Sequence, residues 1–163
     1  MRRCRDWKAA GERVVMTNGT FDLLHAGHTG YLEWARNQGD RLVVGLNSDA
    51  SIQRIKGEKR PLVAEPYRAA LLAALESVDA VVVFAEDEPK ALIARILPDI
   101  LVKAADWSHY VSGRDIVEAH GGEVRLAPMV EGLSSSALVD KICRVFTGQP
   151  AQLDPQQQRG DGA

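Results

Sequence analysis

The sequence predicts an α/β fold, a Rossmann-like doubly wound sandwich with a five-stranded parallel sheet. Three observations lead to this prediction. Five short runs of β-branched and other apolar residues alternate with longer segments of helical period. The runs are apolar on both faces, which is typical of parallel strands that helices cover on both sides. The segments between them are long enough for the crossover helices that parallel strands require.

The predicted elements follow in order along the chain. The strands are 13–17, 41–47, 80–84, 99–103 and 123–127. The helices are 27–38, 49–55, 66–76, 88–97, 114–120 and 135–146. Pro66 fits a first helical turn, and Gly39, Gly121 and Gly148 fall where helices are expected to stop. In such a fold, ligands are expected at the carboxyl ends of the strands, near the point where strand order reverses.

Length and composition limit the class of protein. With 163 residues, 45% of them hydrophobic, the chain is expected to form one domain over residues 1–147. Residues 148–163, rich in Gln, Pro and Gly, are expected to be a disordered tail. A net charge of −2 and the lack of a long apolar run predict neither nucleic acid nor membrane as a partner. Two cysteines and a start without a secretory signal predict a cytoplasmic protein.

The stretch NGTFDLLHAGH, residues 18–28, is the first candidate for a functional site. It joins the first strand to a helix, where free backbone N–H groups and the helix dipole favour a phosphate. His25 and His28 would donate hydrogen bonds to phosphoryl oxygens, above all when a phosphorus is under attack. Alternatively, His25 packs in a turn, His28 lies on the first helical turn and Asp22 caps locally. A metal site is a weaker alternative, because no nearby cysteine or carboxylate pattern completes a tetrahedral ligand set.

A second candidate segment carries cations. Lys56 and Arg60 lie in a loop with glycine and proline, which suits a mobile cationic clamp on phosphates. A solvated surface loop is the alternative. Arg68, early in the next helix, either points into the site or is solvated.

Two further segments reach the same end of the predicted sheet. Lys103 ends the fourth strand and is expected to face the same cleft as the histidines. Ser134 is a good N-cap for the final helix, and the serines that follow it would form a second phosphate cradle. A plain helix cap is the alternative.

The histidine motif also resembles a known signature. The chain has neither a GxxxxGK[ST] loop nor a GxGxxG motif, so other nucleotide-binding patterns receive no support. GTFDLLHAGH resembles the signature of the nucleotidyltransferase superfamily, which includes the cytidylyltransferases. In that superfamily both histidines contact nucleotide phosphates and stabilise the transition state of nucleotidyl transfer. Gly27, between them, would let the backbone turn tightly beside the phosphates.

Three later segments narrow the resemblance. LNSDAS, KGEKRP and LVKAADW resemble the matching stretches of the D-glycero-β-D-manno-heptose 1-phosphate adenylyltransferases. This implies transfer of AMP from ATP to the heptose 1-phosphate, giving pyrophosphate and ADP-heptose for lipopolysaccharide and other glycoconjugates. Mg²⁺ would accompany ATP, and no resident metal site is expected. The chain resembles the stand-alone form of the family, so a separate sugar kinase is expected, and a homodimer is common among relatives.

The predicted site has three groups of residues, all given in the numbering of this chain. The catalytic residues are His25, His28 and Lys103. The nucleotide-binding residues are Asn18, Gly19, Thr20, Phe21, Gly27, His28, Asp106, Trp107, Ser134, Ser135 and Ser136. The substrate-binding residues are Asp22, Asn47, Asp49, Lys56, Arg60 and Arg68. The family usually has glycine directly after the lysine, whereas this chain has Ala104, which would strain a position of positive φ.

Two alternatives to this function stay open. One is a cytidylyl- or adenylyltransferase that acts on another small phosphate, such as glycerol 3-phosphate. Glycerol-3-phosphate cytidylyltransferases carry Arg-Thr where this chain has Met129 and Val130, which counts against that alternative. The other is a non-catalytic nucleotide-binding regulatory module, which Ala104 favours and the combination of both histidines with Lys103 disfavours. Such a module would hold ATP without releasing pyrophosphate.

Overall fold

The strands form one parallel sheet. A computed structural model describes residues 2–105, 110–128 and 134–151. The strands are β1 (Val14–Gly19), β2 (Arg41–Asn47), β3 (Ala80–Phe84), β4 (Ile100–Ala104) and β5 (Glu123–Ala127). They pair in parallel in the order β3-β2-β1-β4-β5, which confirms the predicted fold class. Strand order reverses at β1, so the carboxyl ends of β1 and β4 border the expected ligand crevice.

Six of the helices lie where the sequence predicts them, with ends that differ by no more than three residues. The helices are α1 (Arg2–Ala9), α2 (Ala26–Arg36), α3 (Asp49–Lys56), α4 (Glu65–Ala73), α5 (Lys90–Ile96), α6 (Arg114–Ala119) and α7 (Ser135–Thr147). Helix α1 was not predicted, because its only large apolar contacts come from Cys4 and Trp7. Cys4 is buried in one hydrophobic cluster and Trp7 packs against the same cluster, while the guanidinium of Arg3 lies 5.1 Å from the centre of the Trp7 ring. One apolar pair among five charged side chains is too short a pattern to indicate a helix.

The sheet is covered on both faces. In β1, Val15 enters one hydrophobic cluster, while Val14 and Met16 enter the other. The pattern repeats in β2, where Leu42 and Val43 face opposite sides. These two clusters account for the strands that are apolar on both faces.

The last described segment follows α7. Gly148 caps this helix in the left-handed region, with φ of +70°, where glycine is not strained. The N–H of Ala151 then donates to Asp140 Oδ1 over 3.0 Å. Residues 152–163 of the predicted tail lie outside the described part of the chain, so their disorder stays a prediction. Within residues 2–105, 110–128 and 134–151, no helix is long and apolar enough to cross a bilayer.

Candidate active site

The two motif histidines lie side by side at the start of α2. His25 is the N-cap residue, with extended backbone, and its carbonyl accepts hydrogen bonds from the N–H groups of His28 and Thr29 over 2.9 and 3.2 Å. His28, in the first turn, is buried. The two rings stack with their centres 3.8 Å apart, and Gly27 occupies the turn between them. The sequence therefore brings two imidazoles together where a helix N-terminus favours an anion.

Phe21 packs against the histidine pair through His28. Its ring is buried and meets the His28 ring edge-on, with centres 5.2 Å apart. Its backbone has φ of +44°, a left-handed conformation that is an outlier for a bulky residue. Strain of this kind persists only where the surroundings impose it, and it concentrates at functional sites.

Asp22 anchors a distant loop and does not cap its own turn. Its Oδ1 accepts the N–H groups of Leu62 and Val63 over 2.7 and 2.9 Å, and its Oδ2 pairs with Arg60 Nη1 at 2.7 Å. The Asp22 and Arg60 side chains are only 4% and 5% exposed. The alternative of a local cap at Asp22 is therefore wrong, and so is the expectation that Arg60 is a mobile loop cation. Lys56, also expected in that loop, is the buried last residue of α3.

The remaining residues predicted to bind substrate lie in the same polar network. Asn47 Nδ2 donates to Ser51 Oγ over 3.0 Å. Asp49 accepts the Glu65 N–H at 2.9 Å and Arg68 Nη2 at 2.6 Å. The Arg68 side chain is fully buried, so it is not solvated. The network places five of the six residues around the segment that leads into α4, and their contact with substrate stays a prediction.

Lys103 reaches across the point where strand order reverses. It is buried in β4, and its Nζ lies 3.5 Å from the carbonyl oxygen of Asn18 in β1. Asn18 is itself 7% exposed, and its Oδ1 has no hydrogen-bond partner among the residues that the structure describes. A buried acceptor without a donor costs free energy, so this oxygen fits a donor from a bound ligand. Gly19 completes the strand, two residues beyond its predicted end.

Tyr31, which the sequence did not single out, bonds to the two strands that border the expected ligand crevice. Its hydroxyl lies 2.6 Å from Thr17 Oγ1 and 3.3 Å from the carbonyl oxygen of Val102. It thereby ties α2 to both β1 and β4. Its position one turn after His28 is the only sequence signal that would have indicated it.

The N-terminus of α7 packs against the histidine turn. Ser134 Oγ accepts the N–H of Ala137 over 3.0 Å, which confirms the predicted N-cap. Ser135 is buried, and its hydroxyl donates to the carbonyl of Leu23 over 3.3 Å. The N-terminal ends of α2 and α7 are thus neighbours, with Ser136 in the first turn of α7. A phosphate between these two helix ends would meet donors from both.

Ala104 occupies an ordinary strand position. It is the buried last residue of β4, pairs with Ala127, and is not one of the residues with positive φ. The expectation of left-handed strain at Ala104 is therefore wrong. Asp106, Trp107, Met129 and Val130 lie outside the described residues, and their roles stay predictions. In the described part of the chain, no three His, Cys, Asp or Glu side chains group as a metal site would need.

Comparison with known proteins identifies the family. The cytidylyltransferase-like family matches residues 16–146, which include the whole region described above. The chain belongs to this family. The match indicates a nucleotidyltransferase, as the histidine motif predicts.

Individual relatives also indicate a nucleotidyltransferase. The chain is 52% identical over 140 residues to the bifunctional protein HldE of Geobacter metallireducens, covering 85% of this chain. It is 54% identical over 141 residues to the bifunctional protein HldE of Pelobacter propionicus, covering 86% of this chain. It spans only 29% of the length of either relative.

Two solved structures share the fold. A lipopolysaccharide core biosynthesis protein from Thermoplasma volcanium superposes with a TM-score of 0.60 at 27% identity, covering 74% of this chain and 98% of that one. A protein of unknown function from Archaeoglobus fulgidus superposes with a TM-score of 0.53 at 17% identity, covering 73% of this chain and 99% of that one. The second likeness concerns the fold alone.

Proposed function

We propose that the chain transfers AMP from ATP to D-glycero-β-D-manno-heptose 1-phosphate, giving ADP-heptose and pyrophosphate. The observation that carries the proposal is the stacked pair of His25 and His28, in a turn whose Leu23 carbonyl accepts a hydrogen bond from Ser135 at the N-terminus of α7. The identity to the HldE proteins and the likeness to a lipopolysaccharide core biosynthesis protein support a heptose substrate.

The chemistry needs position and positive charge more than a protein nucleophile. The sugar phosphate is already nucleophilic and would attack the α-phosphorus in line with the departing pyrophosphate. His25, His28 and Lys103 would donate to the phosphoryl oxygens on which charge develops. Ser134 and the first N–H groups of α7 would hold the leaving phosphates.

Mg²⁺ enters the proposal as a companion of ATP. Magnesium is commonly bound through substrate phosphates with few protein ligands. The triphosphate oxygens would therefore hold it. When bound, the ion would neutralise charge on the phosphates.

Other parts of the proposal concern the surroundings of the enzyme. A separate kinase would supply the sugar phosphate, and the protein would work in the cytoplasm, where ATP is available. A homodimer is also proposed, because Val83 of the edge strand β3 is an exposed large apolar residue, and so are Tyr67 and Leu71 of α4, which packs against β3. Sedimentation equilibrium tests this last point, and a monomer at micromolar concentration would refute it.

A pyrophosphate-release screen tests the function. The purified chain is assayed with Mg²⁺, each of four nucleoside triphosphates, and a panel that includes the heptose 1-phosphate and glycerol 3-phosphate. Release only with ATP and the heptose phosphate is expected. Release with another acceptor would establish the alternative transferase. Tight binding of ATP without release, whichever acceptor is supplied, would establish a regulatory module.

A further inference from the structure

Arg68 is a buried cation at the centre of the polar network. Its side chain has no solvent exposure. Its Nε donates to the carbonyl of Val63 over 2.8 Å, and its Nη1 donates to the carbonyls of Thr20 and Asn47 over 2.7 and 3.0 Å. Its Nη2 pairs with Asp49 at 2.6 Å. The guanidinium thus joins the ends of β1 and β2 to the segment that leads into α4.

These contacts bracket the strained residue of the histidine turn. Thr20, whose carbonyl Arg68 holds, directly precedes Phe21. Asp22, which directly follows Phe21, is held by the N–H groups of Leu62 and Val63. Both neighbours of Phe21 are therefore fixed, Thr20 by Arg68 of α4 and Asp22 by the segment that leads into α4. Such bracketing is what a left-handed phenylalanine needs in order to persist.

The constraint passes from Phe21 to the histidines through direct contacts. The Phe21 ring meets His28 edge-on, and His28 stacks on His25. If the Thr20 carbonyl were released, Phe21 would relax towards negative φ and its ring would leave the edge of His28. The spacing of the two imidazoles would change with it.

We propose that Arg68 is a positioning residue for nucleotidyl transfer: it fixes the Thr20 carbonyl and thereby the arrangement of Phe21, His28 and His25. The inference rests on the proposed function. It differs from a substrate-binding role, because four of the five N–H donors of the guanidinium already bond to protein acceptors and the side chain has no solvent exposure. Lysine cannot replace it, since the bonds need a planar fork of donors and lysine offers one ammonium group.

Arg68→Lys tests the proposal, with Arg41→Lys as the matched control. Arg41 is likewise an arginine paired with acidic side chains, in its case Glu12 and Asp79, but it lies at the opposite end of the sheet. The first readout needs no nucleotide or acceptor: the imidazole ¹H–¹³C resonances of the histidines, assigned with single His→Gln variants. The second readout is kcat and KM for ATP and for the sugar phosphate. Thermal unfolding of each variant shows that it is folded.

Arg68→Lys is expected to move the resonances of His25 and His28 and leave that of exposed His120 in place. It should lower kcat by about tenfold or more, while both KM values stay within about threefold. Arg41→Lys should change neither resonances nor kinetics. Unmoved His25 and His28 resonances, or moved resonances with normal kcat, would overturn the proposal. A rise in KM for the sugar phosphate at unchanged kcat would instead make Arg68 a substrate ligand.

The test still gives an answer if the variant does not fold or if the wild-type chain is inactive. If Arg68→Lys does not fold, Arg68→Gln takes its place under the same criteria, because one neutral amide group cannot bond to all four acceptors and leaves no buried ammonium. If the wild-type chain releases no pyrophosphate with any acceptor, the proposed function fails. The resonances then decide the positioning role by themselves.

Discussion

The two ends of the sheet use arginine in different ways. At the amino end, Arg41 pairs with Glu12 at 2.7 Å and with Asp79 at 3.0 Å, and its side chain is 35% exposed. At the carboxyl end, Arg60 and Arg68 are buried, and both pair with carboxylates. Exposed ion pairs contribute little to stability, whereas a buried charge is costly unless its partners are complete. The comparison indicates that the carboxyl end gives up stability in order to fix geometry, and that the amino end does not.

The largest expected effect concerns the buried pair at the carboxyl end. Asp22→Ala should lower the free energy of unfolding by about 3–5 kcal/mol, because it leaves the Arg60 guanidinium buried and uncompensated. The matched change at the amino end, Glu12→Ala, should cost much less, because the Arg41 side chain that it leaves is partly exposed to water. Urea unfolding of both variants measures the difference. Equal losses would remove the contrast between the two ends.

The next effect is on catalysis. His28→Ala should lower kcat by on the order of 10² or more with the fold retained, as the loss of a preorganised donor to a developing charge does. His120→Ala is the control, because His120 is exposed at the end of α6. Steady-state pyrophosphate release measures both. Near-normal turnover in His28→Ala would show that His28 does not stabilise the transition state.

A smaller effect separates capping from phosphate binding at Ser134. Ser134→Ala should cost about 1 kcal/mol of stability through the lost cap. Ser134→Asp should keep the stability, because aspartate also caps helices, but it should weaken ATP binding by placing a negative charge beside the phosphates. Thermal unfolding and ATP titration measure the two effects. Unchanged ATP affinity in Ser134→Asp would mean that this residue is only a cap.

The smallest effect is electrostatic and belongs to the amino end. Hydrogen bonds from Arg41 hold the pKa of Glu12 below its ordinary value of 4.5. A lowered carboxyl pKa contributes stability above the ordinary pKa, and this contribution disappears as pH falls through the folded value. The wild type should therefore lose more of its melting temperature than Arg41→Gln as the pH falls below 4.5. If the melting temperatures of the two proteins fell equally with pH over this range, the pairing of Glu12 with Arg41 would be contradicted.

Sequence and structure agree where the signal is local. The strands follow from runs of β-branched residues, and the Ser134 cap follows from a residue type that bonds the backbone three positions on. The stacked histidines were located by their position between a strand and a helix. Each of these features depends on residues within a few positions of one another.

The sequence did not reveal the partners of the buried charges. Arg60 resembles a loop cation because its glycine and proline neighbours are visible, while its partner Asp22 lies 38 positions away. Arg68 joins carbonyls, which any residue can supply, so no side-chain pattern marks its contacts with Thr20 and Asn47. The left-handed backbone of Phe21 is equally hidden, since propensity alone assigns that conformation to glycine or asparagine.

The hydrogen bond from Ser135 to Leu23 has a consequence for the order in which the protein is made. It joins residues 112 positions apart, so a ribosome would complete every strand of the sheet before it released the helix that closes the histidine turn. The nascent chain would form its sheet early and its proposed phosphate site last. An unfinished chain would therefore hold the histidines without the second helix end, and nucleotide binding would report that synthesis had reached α7.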